Sequence, residues 1–279
     1  MLTDTHAHLD YPEFQSDFPA VLARAEAAGV KRLISIGTGL DSSRAAASLA
    51  QNHPQIFSAA GIHPNHVPDE RTDFLPALRE IAMLPRVVAI GETGLDYFRL
   101  AKDDTASRIA QAAAFRAQLD LAAELTLPVI IHERAAWDDT LAILREYTGR
   151  VHAVFHCFGK SPDHAREVLA LGHLVSFTGI VTFKNAPDAQ ASAASVPLDS
   201  FIVETDCPYL APAPHRGQKC EPAFVRHTAE HIAALRGIPL EELAAATEAT
   251  VDRFFPISEK SPCTTPGTSP SFPLAKTRA

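Results

Sequence analysis

Side chains of the kinds that bind metal ions stand at the ends of several separate apolar runs in this chain. Each run has the length and the β-branched, apolar character of a buried β-strand. In a barrel of parallel strands, the carboxyl ends of all the strands lie on one face. One histidine after one strand means little, but a series at successive strand ends predicts a single shared pocket. The series is His6, His8, Glu92, His132, His156 and Asp206.

Strand-like and helix-like segments alternate along the chain. The predicted strands are residues 1–6, 32–37, 56–61, 87–91, 128–132, 152–156, 173–177 and 201–204. Apolar residues at three- and four-residue spacing predict helices at 17–28, 41–51, 70–83, 105–125, 135–147 and 162–171, with further helices near 220–236 and 239–254. A seventh helix is only weakly indicated, because residues 185–195 are small and polar. Eight strands, mostly followed by helices, predict an α/β fold, the (β/α)8 or TIM barrel, as a single domain at residues 1–257.

Composition narrows the class of protein. Of the 279 residues 46% are hydrophobic, which allows a large core, and no run of 18 apolar residues predicts a membrane span. The first residues contain no basic and apolar leader, and the four cysteines form no CxxC pair, so we expect a cytoplasmic protein. A net charge of −8 disfavours a nonspecific coat protein for duplex DNA. Residues 258–279 are rich in Ser, Thr and Pro and predict a disordered tail.

Each candidate metal ligand has a chemical reason and a plainer alternative. His6 and His8 are two residues apart on one strand, so both imidazoles project from the same face and can bind one ion. The two oxygens of Glu92 can bridge two ions, and Glu204 is expected to hold a ligand histidine or the loop in place. Mixed imidazole and carboxylate ligation suits two divalent ions such as Mg²⁺, Mn²⁺ or Zn²⁺. Taken singly, each histidine is as well explained by a structural role, and Glu92 by a solvated loop.

Other residues suit an anionic substrate and proton transfer. His63 ends the third strand and can contact a phosphate or assist a proton transfer. Arg134 and Arg216 can pair with phosphate oxygens, although a surface salt bridge explains each of them nearly as well. Asp206 and Glu92 are candidate acceptors for a proton from water.

Motifs in a fixed order then point to one family. They are DTHAHLD (4–10), GIHP (61–64), GETGLDY (91–97), IHERAA (131–136), HCF (156–158), SFTGIVTFKNA (176–186) and ETDCPYLAP (204–212), with a looser match at RGQKCEPAFV (216–225). In these motifs and their spacing, the chain resembles the TatD family of metal-dependent deoxyribonucleases, within the amidohydrolase-like barrel superfamily. The resemblance extends from residue 1 to about residue 255.

The resemblance implies two metal ions and a phosphate contact. It assigns one ion to His6, His8, Glu92 and Asp206, and a second to Glu92, His132 and His156. It places His63 beside the substrate phosphate. Three positions depart from the usual family pattern, namely Asn65, Gly159 and Cys220. None of them is a candidate ligand, so they affect the expected substrate contacts and not the metal centre.

The sequence therefore predicts a divalent-metal phosphodiesterase that acts on DNA. The resemblance implies 3′-to-5′ removal of nucleotides from single strands, and we expect a monomer. Two rivals stay open: an amide or ester hydrolase of the wider superfamily, such as an aminoacyl-tRNA deacylase, and a metal-binding protein without catalysis. Glu92, at a position where many amidohydrolases carry a modified lysine, favours the phosphodiesterase, and the intact ligand set argues against the noncatalytic protein. Aromatic candidates for stacking on bases are Tyr97, Phe98, Phe158 and Phe183.

Overall fold

Eight parallel β-strands form one sheet, in which each strand pairs with the next in the chain and the whole curves into a nearly closed barrel. The computed structural model describes residues 1–70 and 72–257. This confirms the predicted (β/α)8 barrel, while the predicted tail at 258–279 lies outside the described residues. The strands are β1 (Leu2–Ala7), β2 (Val30–Ile36), β3 (Ile56–Ala60), β4 (Val87–Asp96), β5 (Val129–Arg134), β6 (Ala153–Phe155), β7 (Leu174–Phe177) and β8 (Phe201–Val203).

Helices connect and follow the strands, and the predicted helix at 105–125 is found with the same bounds. Its first turn begins after Asp104, whose carboxylate accepts a hydrogen bond of 3.0 Å from the Ser107 amide. The helix that residues 185–195 only weakly predict is also present, as α8 (Pro187–Ser195). No helix of the described residues is both long and apolar enough to cross a membrane. The α-helices are α1 (Pro12–Gln15), α2 (Phe18–Ala27), α3 (Leu40–Asn52), α4 (Leu75–Ala82), α5 (Thr105–Leu125), α6 (Trp137–Glu146), α7 (Pro162–Ala170), α8 (Pro187–Ser195), α9 (Val225–Arg236) and α10 (Leu240–Phe254).

The apolar core has one part outside the barrel wall and one inside it. Outside, helix faces pack on the strands, as Phe115 and Leu119 of α5 do with 0% of their surface exposed. Inside, alternate strand residues such as Ile34, Val88 and Ile130 meet in a separate cluster. Because the strands are covered on both sides, they are apolar almost throughout rather than alternating.

The last helix closes the end of the barrel at which the strands begin. Arg32, near the start of β2, forms ion pairs with Glu248 and Asp252 of α10. Just beyond α10, Phe255 and Ile257 pack in the cluster inside the barrel. The opposite end, where the strands finish, is therefore the end that is free to hold a site.

A buried carboxylate joins the first strand to the segment after the last one. The Oδ1 and Oδ2 atoms of Asp4 accept hydrogen bonds of 2.8 and 2.6 Å from the amide and hydroxyl of Thr205. Beyond it, the Asp206 amide donates to the His6 carbonyl at 2.8 Å. Burial raises the pKa of Asp4 to about 8, although the Thr205 hydrogen bonds oppose the rise. These contacts close the barrel between β1 and β8.

Strand β4 runs further than the sequence predicted. It was expected to end at Gly91, but it continues through Glu92 to Asp96, because residues 93–96 pair with β5 after a register shift. Gly91, with a φ of +151°, and Gly94, with a φ of +140°, allow this shift, and a Cβ on Gly94 would lie 2.0 Å from the His132 carbonyl oxygen. Both glycines therefore belong to an irregular strand that continues past its predicted end.

We expect Phe255→Ala to lower the free energy of unfolding by about 3–5 kcal/mol, because it empties the base of the barrel. Phe255 is 2% exposed and packs inside the barrel wall. Urea denaturation followed by circular dichroism measures the change. As a control, Met83→Ala, at a residue that is 68% exposed, should change stability by less than about 0.5 kcal/mol. Equal stabilities of the two variants would show that α10 does not support the barrel.

A second prediction concerns acid stability. His173 is 3% exposed, and burial, with the nearby His152, lowers its pKa from 6.5 to about 4. Between pH 6.5 and pH 4 the unfolded chain therefore binds a proton at His173 that the folded chain does not bind. As a result, the free energy of unfolding falls as the pH falls through this range. Between pH 7 and pH 5 the free energy of unfolding should fall by about 2 kcal/mol more in the wild type than in His173→Leu. Urea titrations at both pH values test this, and parallel losses in the two proteins would contradict it.

Candidate metal centre

The six predicted donor side chains converge at the open end of the barrel. Five of them surround Glu92, which is 3% exposed, at the base of a cavity of about 630 Å³. His6 is 0% exposed and lies behind the others. The remaining five candidates line the cavity, and His63 lines it with them; the five are His8, Glu92, His132, His156 and Asp206.

One oxygen of Glu92 faces the histidines of the first strand. The Oε2 atom lies 3.5 Å from His6 Nε2 and 3.9 Å from His8 Nε2. Asp206 approaches the same imidazoles from beyond β8, with its Oδ1 atom 3.6 Å from His6 Nε2 and 3.3 Å from His8 Nε2. Four side chains from three strands thus form one group.

The other oxygen of Glu92 faces the histidines of β5 and β6. The Oε1 atom lies 2.9 Å from His132 Nδ1 and 2.9 Å from His156 Nε2. His63 Nε2 is 3.7 Å from the same oxygen. One carboxylate therefore stands between two groups of donors.

Their opposite charges hold Glu92 and His156 in their charged forms. Burial alone would raise the pKa of Glu92, but His156 and the other imidazoles outweigh it and hold that pKa well below its ordinary value. Burial lowers the pKa of His156, yet the charges of Glu92 and Glu204 more than compensate and raise it well above its ordinary value. The carboxylates therefore favour positive charge at this point in the fold.

Two buried acids orient the histidines of β5 and β6. Asp96 Oδ2 lies 3.1 Å from His132 Nε2, which makes that nitrogen the donor and leaves Nδ1 directed at Glu92. Glu204 Oε1 lies 3.5 Å from His156 Nδ1 and accepts a hydrogen bond of 2.7 Å from the Cys157 amide. A carboxylate behind an imidazole is the usual arrangement that fixes a metal-binding histidine.

His63 differs from its neighbours in its tautomer. Its Nδ1 atom accepts a hydrogen bond of 3.1 Å from the Asn65 amide, so the neutral ring carries its proton on Nε2. Burial lowers the pKa of His63 to about 3, and neighbouring imidazoles contribute. Although His63 lies close enough to Glu92 and His132 to complete a metal-binding group, a protonated Nε2 suits a hydrogen-bond donor better than a metal ligand.

The donor set fits divalent cations. Among the described residues, His6 Nε2 is buried without a hydrogen-bond partner, and it lies 3.5 Å from Glu92 Oε2 and 3.6 Å from Asp206 Oδ1. Buried polar atoms are normally paired, so unpaired ones that face carboxylates point to a ligand. In three groups of residues, the donor atoms within each group lie within 4.8 Å of one another. The groups are His6, His156 and Asp206; His6, His8 and Glu92; and His63, Glu92 and His132.

The structure separates the two arginines that were predicted to contact substrate. Arg134 lines the cavity, with its guanidinium 3.7 Å from the ring centroid of Phe98. Arg216 is exposed and lies 3.7 Å over Phe183, away from the residues described as lining the cavity. Its contact with substrate stays a prediction. Phe158, expected as a stacking candidate, is 5% exposed and belongs to the core.

Two tyrosines at the cavity were missed from the sequence. Tyr11 and Tyr209 both line it, and Tyr209 is 51% exposed. A signal was available, because each follows a candidate ligand by three residues, Tyr11 after His8 and Tyr209 after Asp206. A residue three positions after a ligand in the chain can lie only a short distance from it.

Comparisons with known proteins identify the family and agree with the fold. The family model for "TatD related DNase" matches residues 3–256. The chain is 40% identical to the uncharacterized metal-dependent hydrolase YcfH of Escherichia coli K12, over 92% of this chain and 96% of that protein. It is 38% identical to the "3′-5′ ssDNA/RNA exonuclease TatD" of Citrobacter rodentium, over 92% of this chain and 99% of that one.

A solved structure gives the same result in three dimensions. The crystal structure of YjjV, a TatD homologue from Escherichia coli K12, superposes with a TM-score of 0.85 at 31% identity, over 91% of this chain and 98% of that one. The chain therefore belongs to the TatD family of metal-dependent hydrolases.

Proposed function

We propose that the protein is a 3′-to-5′ exonuclease that hydrolyses single-stranded DNA with two divalent cations. The observation that carries the proposal is the position of Glu92, whose two oxygens face two different groups of donors. A single bridging carboxylate between two such groups is the arrangement that a paired-cation phosphodiesterase needs. The direction and the single-stranded substrate follow the printed name of the Citrobacter rodentium relative.

Each cation would have its own set of residues. His6, His8 and Asp206 would hold one together with Glu92 Oε2, and His132 and His156 would hold the other together with Glu92 Oε1. When bound, such cations polarise a phosphate and lower the pKa of water toward neutrality. Asp96 and Glu204 keep the two distal imidazoles in the orientation that this binding requires.

The proton of the attacking water would pass to Asp206. Both oxygens of Glu92 are directed at imidazoles, so Glu92 is poorly placed to accept a proton. Asp206 lines the cavity, and its side chain is 14% exposed. Burial would raise the pKa of Asp206, but the hydrogen bond with His8 and the other imidazoles outweigh it and lower that pKa, so the group is ionised and can accept.

The remaining groups at the mouth position the phosphate. His63 Nε2–H can donate to the phosphate oxygens or to the leaving oxygen, since its other nitrogen is occupied. Arg134 can pair with a neighbouring phosphate.

The described cysteines Cys157, Cys207 and Cys220 are free, which fits the cytoplasmic location that we propose.

The experiment that tests the function uses single-stranded oligonucleotides with a label at the 3′ or the 5′ end, incubated with Mg²⁺, Mn²⁺ or Zn²⁺. We expect labelled mononucleotides at once from the 3′ label and a ladder of shortening products from the 5′ label. Glu92→Gln should lower kcat/KM by several orders of magnitude, because one substitution weakens both donor groups.

The matched control is Glu146→Gln, the same change at a surface residue that pairs with Arg116, and it should retain activity. No cleavage with any of the three cations, or products that begin at the 5′ end, would refute the proposal. Full activity of Glu92→Gln would refute the role of that carboxylate while leaving the family assignment intact.

Metal binding can be tested apart from activity. Adding Mn²⁺ to protein treated with EDTA should raise its melting temperature, because the ion binds only the folded chain. At a free concentration of 100 times Kd, the gain in the free energy of unfolding is about 2.7 kcal/mol per site. Differential scanning calorimetry should show a smaller gain for Glu92→Gln than for Glu146→Gln, and equal gains would place the ion elsewhere.

A further inference from the structure

Two tyrosines are tied by the backbone to the candidate metal ligands. The Tyr11 amide donates a hydrogen bond of 3.3 Å to the His8 carbonyl, and the Tyr209 amide donates one of 3.0 Å to the Asp206 carbonyl. Each turn places an aromatic ring three residues beyond a ligand. The positions of both rings relative to the metal centre are therefore set by the same loops that set the ligands.

The two rings form a stepped platform at the cavity wall. Tyr11 stacks on the imidazole of His8, with the ring centroids 4.8 Å apart and an angle of 20° between the planes. Tyr209 meets Tyr11 edge to face, with centroids 6.4 Å apart and an angle of 81°. Tyr11 thus lies between His8 and Tyr209 and braces the ring of Tyr209.

Tyr209 is more exposed than its size and setting would predict. It is 51% exposed, yet it lines the cavity that contains Glu92. A large aromatic side chain gains stability by burial, so the half-exposed ring of Tyr209 offers apolar surface that a ligand in the cavity would cover. A planar partner that enters the cavity would cover it.

The opposite side of the mouth carries positive charge. Arg99, after β4, and Arg134, the last residue of β5, line the cavity there, and these strands lie across the barrel from β1 and β8. The Arg134 guanidinium rests on Phe98, itself 61% exposed. A ligand that spans the mouth thus meets aromatic surface on one side and cations on the other. Single-stranded nucleic acid has this chemistry, with flat bases and anionic phosphates.

We propose that Tyr209, braced by Tyr11, is the platform on which an unpaired base of the substrate stacks next to the bond that is cut. This rests on the nuclease function proposed above and adds a determinant of its strand preference. A base inside a duplex has both faces covered by its neighbours, and a terminal base is still paired at its edge, so the base at the cut bond is free to lie on the ring only when its strand is unpaired. Stacking requires only a flat base and therefore selects single strands without selecting sequence.

The test compares Tyr209→Ala and Tyr209→Phe on single-stranded oligonucleotides in the metal-loaded enzyme. Loss of the ring should raise KM about tenfold, whereas the phenylalanine variant should stay within about twofold of wild type, since base stacking depends on the ring. The change should appear in KM rather than in kcat, because stacking acts on the bound substrate and the transition state alike. Met83→Ala, an exposed apolar change at the end of α4, serves as the control and should leave KM unaltered.

Oligonucleotides with one abasic site separate stacking from a general effect on the loop. The abasic nucleotide is placed in turn at each of the three positions nearest the 3′ end. At the stacked position, wild type and Tyr209→Ala should have the same KM, because the base that distinguishes them is missing. At the other two positions the difference of about tenfold should persist.

The outcomes distinguish this inference from the function on which it rests. If wild type degrades single strands but Tyr209→Ala has an unchanged KM, the stacking proposal is wrong and the nuclease proposal stands. A raised KM that persists with every abasic substrate also overturns stacking and indicates distortion of the Asp206 loop. If wild type degrades no oligonucleotide, both proposals fail together.

Discussion

The contact between Asp4 and Thr205 is the constraint on which the site depends. Strands β1 to β8 pair in succession through backbone ladders, but the seam between the first and the last is closed by a buried side chain and a few backbone bonds. His6 comes from one side of that seam and Asp206 from the other. Without closure these donors would separate, and one half of the centre would be lost.

Glu92 concentrates several charges in a place where water cannot screen them. A buried carboxylate with no partner would be costly, and so would a buried imidazolium. Here they occur together, and Asp96 and Glu204 add further negative charge behind the imidazoles. The barrel supplies this environment because its wall is covered by helices and its base is filled with apolar side chains. The same low polarity strengthens every interaction with a phosphate that enters the mouth.

Much of this could be predicted from the sequence, because the signals were periodic. The bounds of α5 follow from its apolar spacing, and the meeting of the six candidate donors follows from their places at strand ends. What failed were features decided by tertiary contacts. The strand predicted to end at Gly91 continues to Asp96, because residues 93–96 pair with β5. The path of the loop that carries Arg216 onto Phe183 could not be read from the sequence, and its contact with substrate stays a prediction. Tyr209 was overlooked although it follows Asp206 by three residues, because the sequence does not show that its ring lines the cavity.

The closure of the barrel base by α10 has a practical consequence. Because Phe255 and Ile257 are inserted among the interior side chains at the face away from Glu92, whatever is attached beyond residue 257 starts from the side remote from the cavity. A tether attached at residue 257 would therefore leave the mouth of the cavity open to solution.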